Sequence, residues 1–161
     1  TTRGVLAEYI VATALGICDT NRVHWDQYDL EIDRMGRRVG IEVKSAAYVQ
    51  TWAQARISEI TFAIRRAQGW DARNDTHADS PKRSAGVYVF CLLEGEDPKK
   101  IDPLEVAQWT FYVLPTSELD GQVPTQKTIR LGRLKDLGAQ PCTYDELKTA
   151  IDAAAADNHA S

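Results

Sequence analysis

A chain of 161 residues is long enough for one domain with a sizeable core and too short for two ordinary domains. Its composition, 43% hydrophobic and 26% charged residues, is typical of an ordinary soluble globular protein. A net charge of −4 argues against a large, uniformly basic surface for nucleic acid, although it leaves room for a local basic patch.

The sequence contains no signal of export or membrane insertion. No run approaches the roughly 18 apolar residues needed to cross a bilayer, and the start has no basic-then-apolar signal segment. The chain begins at Thr1 rather than Met, as a trimmed chain or a piece of a longer protein would. The cysteines are odd in number and lack metal-ligand spacing, which favours reduced thiols at Cys18, Cys91 and Cys142. We therefore expect a cytoplasmic protein that does not contact a membrane.

The first half of the chain predicts a helix, a hairpin and a second helix. Residues 1–17 carry apolar side chains at helical spacing, and Gly16 is a plausible end of that helix. The segments "YDLEID" and "RVGIEVK" alternate with period two around the turn "RMGR", which predicts a β-hairpin. From Trp52 to Ala67, one apolar stripe at helical spacing predicts a second amphipathic helix; its members are Ala53, Ile57, Ile60, Ile64 and Ala67.

The second half predicts further strands and a final helix. Gly69–Ala85 is polar and punctuated by Gly and Pro, which indicates a long surface loop. "GVYVFCLL" predicts a central strand, "WTFYVL" and "KTIRLG" predict two more, and "DPLE" at Asp102 is typical of a helix start. Thr143 and Glu146 have the spacing of a capping box before a C-terminal helix, after which "AAAADNHAS" is expected to fray. We find no internal repeat and no domain boundary.

Two charges interrupt the apolar residues of a predicted strand, in the stretch "VGIEVKSAAYVQTW". Side chains alternate along a strand, so Glu42 and Lys44 share one face, while Ile41 and Val43 occupy the other. A buried strand with two charges on one face needs a partner for those charges.

The hairpin defines what lies opposite the charged face. If the hairpin closes around residues 34–37, Leu30 lies opposite Ile41 and the apolar faces of the two strands match. The same register puts Asp29 directly opposite Glu42, with Cβ atoms about 4.5–5.5 Å apart. Two carboxylates at that distance repel each other, and Mg²⁺ would turn the repulsion into coordination because it takes oxygen ligands from one or two carboxylates. The register therefore favours a metal site over a simple ion pair.

The first predicted helix carries a carboxylate on a mostly apolar surface. The helical neighbours of Glu8 are Gly4, Val11, Ala12 and Leu15. Acids are rarely buried without a partner. A helix packed over the hairpin would aim Glu8 toward the same site.

These residues resemble the PD-(D/E)XK nuclease superfamily, to which restriction endonucleases and archaeal-type Holliday junction resolvases belong. Asp29 is followed by twelve residues and then "EVK" at positions 42–44, and a helix with "RGVLAE" precedes them. "RGVLAE", "YDL" and "IEVKS" are similar to the resolvase order of helix Glu, strand Asp, Glu-x-Lys and a following Ser. The resemblance covers roughly the first half of the chain. One departure is Tyr28, where the family pattern has Pro.

The resemblance implies an α/β fold with a restriction-endonuclease-like α-β-β-β-α-β core, in which helices flank a mixed central sheet. It implies one nuclease-like domain over residues 1–155, followed by a tail at 156–161. The implied activity is that of a metal-dependent DNA endonuclease, restriction-like or of the junction and repair type, which uses Mg²⁺ or Mn²⁺ to hydrolyse phosphodiester bonds. Double-strand cutting by an enzyme with one site per chain would further imply a homodimer.

The resemblance also implies a role for each residue of the site. Asp29 and Glu42 would hold the metal, with the carbonyl of Val43 as a third ligand. Lys44 would orient the attacking water or stabilise charge on the phosphate. Glu8 would add an outer ligand or bind a second ion.

Contact with DNA must come from local charge, because the net balance is acidic. The candidates cluster at the hairpin turn and on the long loop: Arg34, Arg37, Arg38, Lys82 and Arg83. The resemblance adds Ser45, which would hydrogen-bond a phosphate or the substrate backbone. Phosphate contacts of this kind position a nucleic acid without reading its sequence. Three aromatic side chains offer stacking on bases or sugars, with core packing as the alternative and the preferred interpretation for the second: Tyr48, Trp52 and Trp70.

Each assignment has a simpler alternative. Lys44 could form a solvated cross-strand ion pair with Glu31 or Glu42. Asp29 could cap a turn, with Asp26 as a competitor for its role, and Glu8 could point to water. For the whole protein, the alternative function is a catalytically inactive module with the same fold that binds nucleic acid or serves in assembly, since a fold does not dictate activity.

Overall fold

A computed structural model describes residues 2–17, 29–50, 56–67, 70–71, 76–77 and 81–159. In those ranges the helices are α1 (Thr2–Leu15), α2 (Thr116–Gln122), α3 (Leu131–Asp136) and α4 (Tyr144–His159). The longer strands are β1 (Leu30–Arg34), β2 (Arg37–Ala47), β6 (Val87–Leu93) and β7 (Trp109–Pro115). The short strands are β3 (Thr61–Ala63), β4 (Trp70–Asp71), β5 (Thr76–His77) and β8 (Thr128–Arg130). None of these helices is long and apolar enough to cross a membrane.

The long strands form one mixed sheet in the order β1-β2-β6-β7. β2 runs parallel to β6, whereas β1 and β7 run antiparallel to their neighbours. Every residue of β6 is buried, as expected for a central strand covered on both faces. The predicted α/β class and the strands predicted from "GVYVFCLL", "WTFYVL" and "KTIRLG" are confirmed.

The β1–β2 hairpin has the predicted register. Leu30 pairs with Ile41, and the pairing continues to Arg34 opposite Arg37. The two turn residues, Met35 and Gly36, have φ of 54° and 80°. Turns with two positive φ values match the right-handed twist of the strands that they join.

Helices α1 and α4 cover one face of the sheet. Their buried side chains share a single apolar cluster with β2, β6 and β7, which includes Ala7, Ile10, Val11, Ile41, Val43, Leu147 and Ile151. The predicted end of α1 is confirmed at Gly16, which has φ of 73°. Its N–H donates to Thr13 O (3.1 Å), and the N–H of Ile17 donates to Ala12 O (3.0 Å), a pairing that satisfies the last carbonyls of a helix.

The capping box before α4 is also confirmed. The N–H and hydroxyl of Thr143 both donate to Glu146 Oε1, each at 3.0 Å, and the Glu146 N–H donates back to Thr143 O at 3.1 Å. These bonds lower the pKa of the Glu146 carboxyl. The helix then runs to His159, so the tail that we expected to fray is helical as far as it is described.

A second layer covers the other face of the sheet. It comprises the β3–β8 pair, α2 and α3, and its apolar cluster includes Ile60, Phe62, Phe90, Leu114, Leu119, Ile129 and Leu134. Phe62 of β3 meets Phe90 of β6 edge to face, with ring centroids 5.1 Å apart. The sheet therefore lies between two separate apolar cores.

The predicted helix from Trp52 to Ala67 is wrong over its described part. Residues 57–60 are irregular and Thr61–Ala63 is a strand; residues 51–55 lie outside the described ranges. Ile60, Phe62 and Ile64 are buried while the residues between them are exposed. This alternation is that of a strand, and in a helix Phe62 would have pointed away from the other two.

Two further predictions are corrected. "DPLE" does not begin an α-helix: Asp102 Oδ1 accepts the N–H of Leu104 (3.0 Å) in a turn, and a single 3₁₀ turn follows at Val106–Gln108. The segment 69–85, predicted as a plain loop, contains β4 and β5 paired with each other, and Lys82 bridges to Ala67. Residues 69, 72–75 and 78–80 of this segment lie outside the described part.

Candidate functional site

The candidate site lies where β1 ends and β2 continues. β2 pairs with β1 as far as Ile41 and from there to Ala47 pairs with β6 on its other edge. Asp29, a bend just before β1, donates its N–H to Ile41 O at 3.0 Å. Its carboxylate Oδ2 accepts the N–H of Val43 at 2.8 Å. Asp29 therefore bonds to the backbone of Ile41 and of Val43, the residues on either side of Glu42.

This bonding refines the predicted opposition of two carboxylates. The register up to Leu30 is as expected, but Asp29 turns out of the ladder and its side chain bonds to the backbone of β2. Within a strand, the N–H and C=O of one residue point to the same side. Since the Val43 N–H meets Asp29, the Val43 carbonyl faces the same edge of β2. A carboxylate oxygen and a carbonyl oxygen thus lie at one point of the strand.

Glu42 and Lys44 form an ion pair on the face of β2 away from α1. Lys44 Nζ lies 3.1 Å from Glu42 Oε1, and their side chains are 28% and 20% exposed. Both are half-buried, so solvent reaches the pair without surrounding it. The predicted sharing of one face by these two residues is confirmed, because Val43 belongs to the α1 side and Ala46 to the opposite core.

Tyr88 is a member of this surface that sequence reasoning missed. It pairs with Glu42 in the parallel β2–β6 register, and its ring stacks on Phe90 with centroids 5.8 Å apart. Burial, followed by the negative charge of Glu42, raises the pKa of the Tyr88 hydroxyl, so this group stays a neutral donor. No local sequence pattern indicates this contact, because Glu42 and Tyr88 become neighbours only when β2 and β6, which are joined by a long crossover connection, pair in parallel.

Glu8 lies on the other side of the sheet from Glu42 and Lys44. It is half-buried on α1, and its neighbour Ala7 packs in the cluster that contains Val43. A route from Glu8 to the site therefore runs around the edge of β2 at Asp29 rather than across the charged face.

Ser45 also projects toward α1. Its hydroxyl accepts a long hydrogen bond of 3.4 Å from Arg3 Nε, and Arg3 Nη1 donates to Gln50 Oε1 at 2.8 Å. Burial lowers the pKa of Arg3. The side chain of Ser45 therefore has a structural partner in Arg3. It lies on the opposite face of β2 from the side chain of Lys44.

Arg83, predicted to contact DNA, is buried instead. Nε donates to Ile64 O (2.8 Å), Nη1 to Asp120 Oδ1 (2.7 Å), and Nη2 to Val123 O (3.0 Å) and Gln126 O (3.1 Å). Its side chain is 0% exposed. A guanidinium used in this way holds three segments together, so we remove Arg83 from the set proposed to contact DNA.

The other predicted basic residues lie at the surface. Arg37, Arg38 and Lys82 are exposed, and Arg34 lies 3.6 Å from Asp152 of α4. Among the aromatic residues, Tyr48 is half-buried against the second core. Trp52 and the side chain of Trp70 lie outside the described part of the chain.

The donors near Asp29 are oxygen atoms. Within the described residues there is no group of three or more His, Cys, Asp or Glu side chains placed to hold a metal ion. The oxygen donors at this point of β2 are the carboxylate of Asp29, which bonds to the Val43 N–H, and the carboxylate of Glu42, which pairs with Lys44. Hard divalent cations accept such a set because they take carbonyl oxygen and water besides one or two carboxylates.

No family model matches the chain, and no curated protein matches it. Among solved structures, the chain is similar to a bacterial homing endonuclease, I-Ssp6803I, with 18% sequence identity and a TM-score of 0.43. The similarity covers 81% of this chain and 76% of that chain. A likeness at this level is too weak to identify fold or function, so the functional conclusion depends on the residues described above.

Proposed function

We propose that this chain is a metal-dependent DNA endonuclease of the PD-(D/E)XK type, either restriction-like or of the junction and repair type. The observation that carries the proposal is the pair of contacts at one point of β2: Asp29 Oδ2 to the Val43 N–H at 2.8 Å, and Lys44 Nζ to Glu42 Oε1 at 3.1 Å. Asp29 thus bonds to the residue that lies between the two members of the Glu42–Lys44 ion pair.

The proposed metal ligands are Asp29, Glu42 and the carbonyl of Val43, with Mg²⁺ as the ion and Mn²⁺ as a substitute. The oxygen-only donor set supports a hard cation. Such an ion polarises a phosphate oxygen and lowers the pKa of a bound water. Glu8 is proposed as an outer ligand, reached around the edge of the sheet.

Lys44 is proposed to act on the phosphate. Its ammonium group carries three donors and pairs with Glu42 at the half-exposed rim of the site, where a phosphate oxygen can approach. Donors that are already positioned stabilise the negative charge that develops in the transition state. Tyr88, a neutral donor on the next strand, faces the same surface.

The proposed DNA-binding surface comprises Arg34, Arg37, Arg38 and Lys82, with Ser45 as a weaker candidate behind the site. The exposure of Arg37 and Arg38 at the hairpin supports this assignment. Positive charge there compensates locally for the acidic balance of the chain. Because such contacts meet phosphates, they set the position of DNA without setting a sequence preference.

The fold supports the restriction-endonuclease-like core in part. A helix, an antiparallel hairpin and a strand parallel to its second arm follow one another as α1, β1, β2 and β6. The described residues between β2 and β6 contain no helix, which the full α-β-β-β-α-β order would require.

The alternative function is a DNA-binding module without catalysis. The Lys44–Glu42 contact is compatible with this alternative, because an ion pair of this length is common on half-exposed sheet faces and needs no metal. The two functions differ in one measurable property, namely cleavage.

The test uses supercoiled plasmid and a four-way DNA junction, each incubated with Mg²⁺, with Mn²⁺ or with chelator. We expect cleavage with either metal and none with chelator. Glu42→Gln, which keeps the size of the side chain, should abolish cleavage. Glu31→Gln is the matched control on the same face of the neighbouring strand and should cleave normally. Binding without cleavage under every metal condition would favour the inactive module.

Metal binding is tested separately by calorimetric titration of Mg²⁺. We expect Asp29→Ala and Glu42→Ala each to weaken binding strongly, since each removes a proposed ligand. Unchanged Mg²⁺ affinity in both variants would contradict the proposed site, whatever the plasmid assay shows.

A further inference from the structure

The tip of the β1–β2 hairpin presents a bare apolar side chain. Met35 is 97% exposed, the highest value among the large exposed hydrophobic residues of the described chain. It lies in a two-residue turn, where the N–H of Gly36 donates to Asp33 Oδ1 at 3.1 Å. The turn is therefore ordered by a side-chain bond, and its apolar residue points to solvent.

Met35 is a poor choice for the turn itself. Its φ of 54° lies in the left-handed region, which favours Gly, Asn or Asp and is costly for other residues. The side chain contributes no burial in return. A residue that stabilises neither the turn nor the core contradicts local conformational preference, and such residues are expected at functional sites.

A second unfavourable feature, a pair of like charges, flanks the turn. Arg34 and Arg37 are opposite each other in the last pair of the ladder. Like charges in that position destabilise a sheet, and here the ion pair of Arg34 with Asp152 offsets part of the repulsion. Arg38, opposite Asp33, adds a third guanidinium to the tip. An apolar point flanked by cations complements a polyanion that has an apolar interior, which is the chemistry of duplex DNA with its stacked bases.

The tip lies at a defined distance from the proposed cleavage site. Met35 is six residues beyond Asp29, and a strand rises about 3.3 Å per residue, which gives about 20 Å along the hairpin. Since base pairs rise about 3.4 Å, the tip reaches roughly six base pairs from a phosphate bound at the proposed metal site beside Asp29.

We propose that the β1–β2 hairpin is a DNA-bending arm that inserts Met35 as a wedge between base pairs of the minor groove. Arg37 and Arg38, which are exposed, hold the phosphates on either side of it. Apolar wedges of this kind unstack a base step and kink the duplex by roughly 20–90°. The inference rests on the proposed function and specifies how its substrate is held.

The test exploits an opposition between stability and binding. Met35→Asn places a residue that favours positive φ in the turn, so the thermal midpoint should stay the same or rise. The same change removes the apolar side chain that would enter the DNA. Because the hairpin remains folded, a loss of DNA bending cannot be attributed to its unfolding. The matched control is Leu104→Asn, an exposed apolar residue that lies between β6 and β7, at the end of the sheet away from the hairpin tip.

Bending is measured by energy transfer between dyes at the two ends of a 30-base-pair duplex (about that length suffices to contain the footprint), with chelator present to prevent cleavage. The wild-type protein and Leu104→Asn should bring the ends closer and bind with equal affinity. Met35→Asn should bind about tenfold more weakly and leave the ends apart, since burial of the Met side chain is lost.

The outcomes separate the two proposals. If the wild type cleaves plasmid but does not bend the duplex, or if Met35→Asn bends it as the wild type does, the proposed bending arm is contradicted. The proposed nuclease function is not affected by either result. If the wild type neither binds nor cleaves DNA, the proposed function fails and the arm with it. Bending of duplex RNA in place of DNA would also overturn the inference.

Discussion

Two ion pairs on the same side of the sheet differ in what surrounds them. Arg83 and Asp120 lie 2.7 Å apart, and the arginine side chain is 0% exposed. Its remaining donors bond to backbone carbonyls of Ile64, Val123 and Gln126. Lys44 and Glu42 lie 3.1 Å apart, and both side chains remain partly exposed.

The difference separates a structural charge from one that can act on a ligand. A buried guanidinium whose donors are used by the backbone cannot turn toward a substrate without breaking those bonds. The half-exposed ammonium of Lys44, which is paired with Glu42, keeps donors for an incoming phosphate. The charge of a residue in the sequence therefore says little until its partners are known.

The largest effect is expected on stability, from Arg83→Ala. Removing the buried guanidinium leaves three backbone carbonyls without their donor, at a cost of about 1–3 kcal/mol for each one that stays buried. Asp120 is 42% exposed, so water can solvate its carboxylate once Arg83 is gone. Chemical denaturation measures the loss. Arg66→Ala is the control, because Arg66 contacts the same Asp120 at 3.9 Å from a half-exposed position, where an ion pair contributes about 1 kcal/mol or less. Equal effects of the two substitutions would contradict the structural role of Arg83.

Lys44→Ala should show the reverse pattern. We expect the cleavage rate to fall by about 10²–10³, since a donor to the developing charge is removed, while the free energy of unfolding changes by less than about 1 kcal/mol. Lys148→Ala is a matched control, because Lys148 forms an ion pair of the same 3.1 Å length with Asp152. A rate equal to that of the wild type would show that the Lys44–Glu42 pair is only structural.

Substitutions of Asp29 should separate the two roles of its carboxylate, hydrogen bonding to Val43 and the proposed metal binding, by a smaller effect. Asp29→Asn keeps an oxygen that can accept the Val43 N–H, whereas Asp29→Ala leaves that amide without its partner. Both should lose Mg²⁺ affinity, but only Asp29→Ala should lose about 1 kcal/mol of stability. Thermal unfolding in chelator checks the stability, and calorimetry checks the metal. If Asp29→Ala is instead more stable than the wild type, repulsion from Glu42 outweighs the hydrogen bond.

The smallest effect is expected at Glu146, where an exposed carboxylate is bonded by Thr143. The pKa of Glu146 is lowered in the folded state, so its stabilising contribution is complete above the unfolded pKa and disappears as pH falls through the lowered value. Glu146→Ala should therefore lower the thermal midpoint at pH 7 and have less effect near pH 3 (an approximate choice below the ordinary carboxyl pKa of about 4.3). An equal difference at both pH values would exclude the carboxylate as the cause.

The hairpin could be predicted because everything that defines it lies within a few residues. The period-two alternation marks its inward faces, and the turn is the shortest one that contains Gly36. Pairing of Leu30 with Ile41 follows from these two facts alone. The α4 start was predictable for the same reason, because Thr143 and Glu146 bond to each other.

The segment before Ala67 shows how the same reasoning fails. Ile60 and Ile64 are four residues apart, a spacing that fits one face of a helix and one face of a strand equally well. Phe62, which lies between them, distinguishes the two and was left out of the helical stripe. Its burial depends on Phe90 and on pairing of β3 with β8, which no local window contains.

The sequence by itself determined the four strands of the mixed sheet, the register of the hairpin and the shared face of Glu42 and Lys44, because those depend on neighbours along the chain. Only the tertiary structure decided that Asp29 bonds to the backbone of Val43, that Tyr88 lies beside Glu42 and that Arg83 is buried. Each of these depends on segments that are distant in sequence. Whether a charge faces water or a carbonyl is set by the packing of such segments, and a list of residues in chain order does not contain that information.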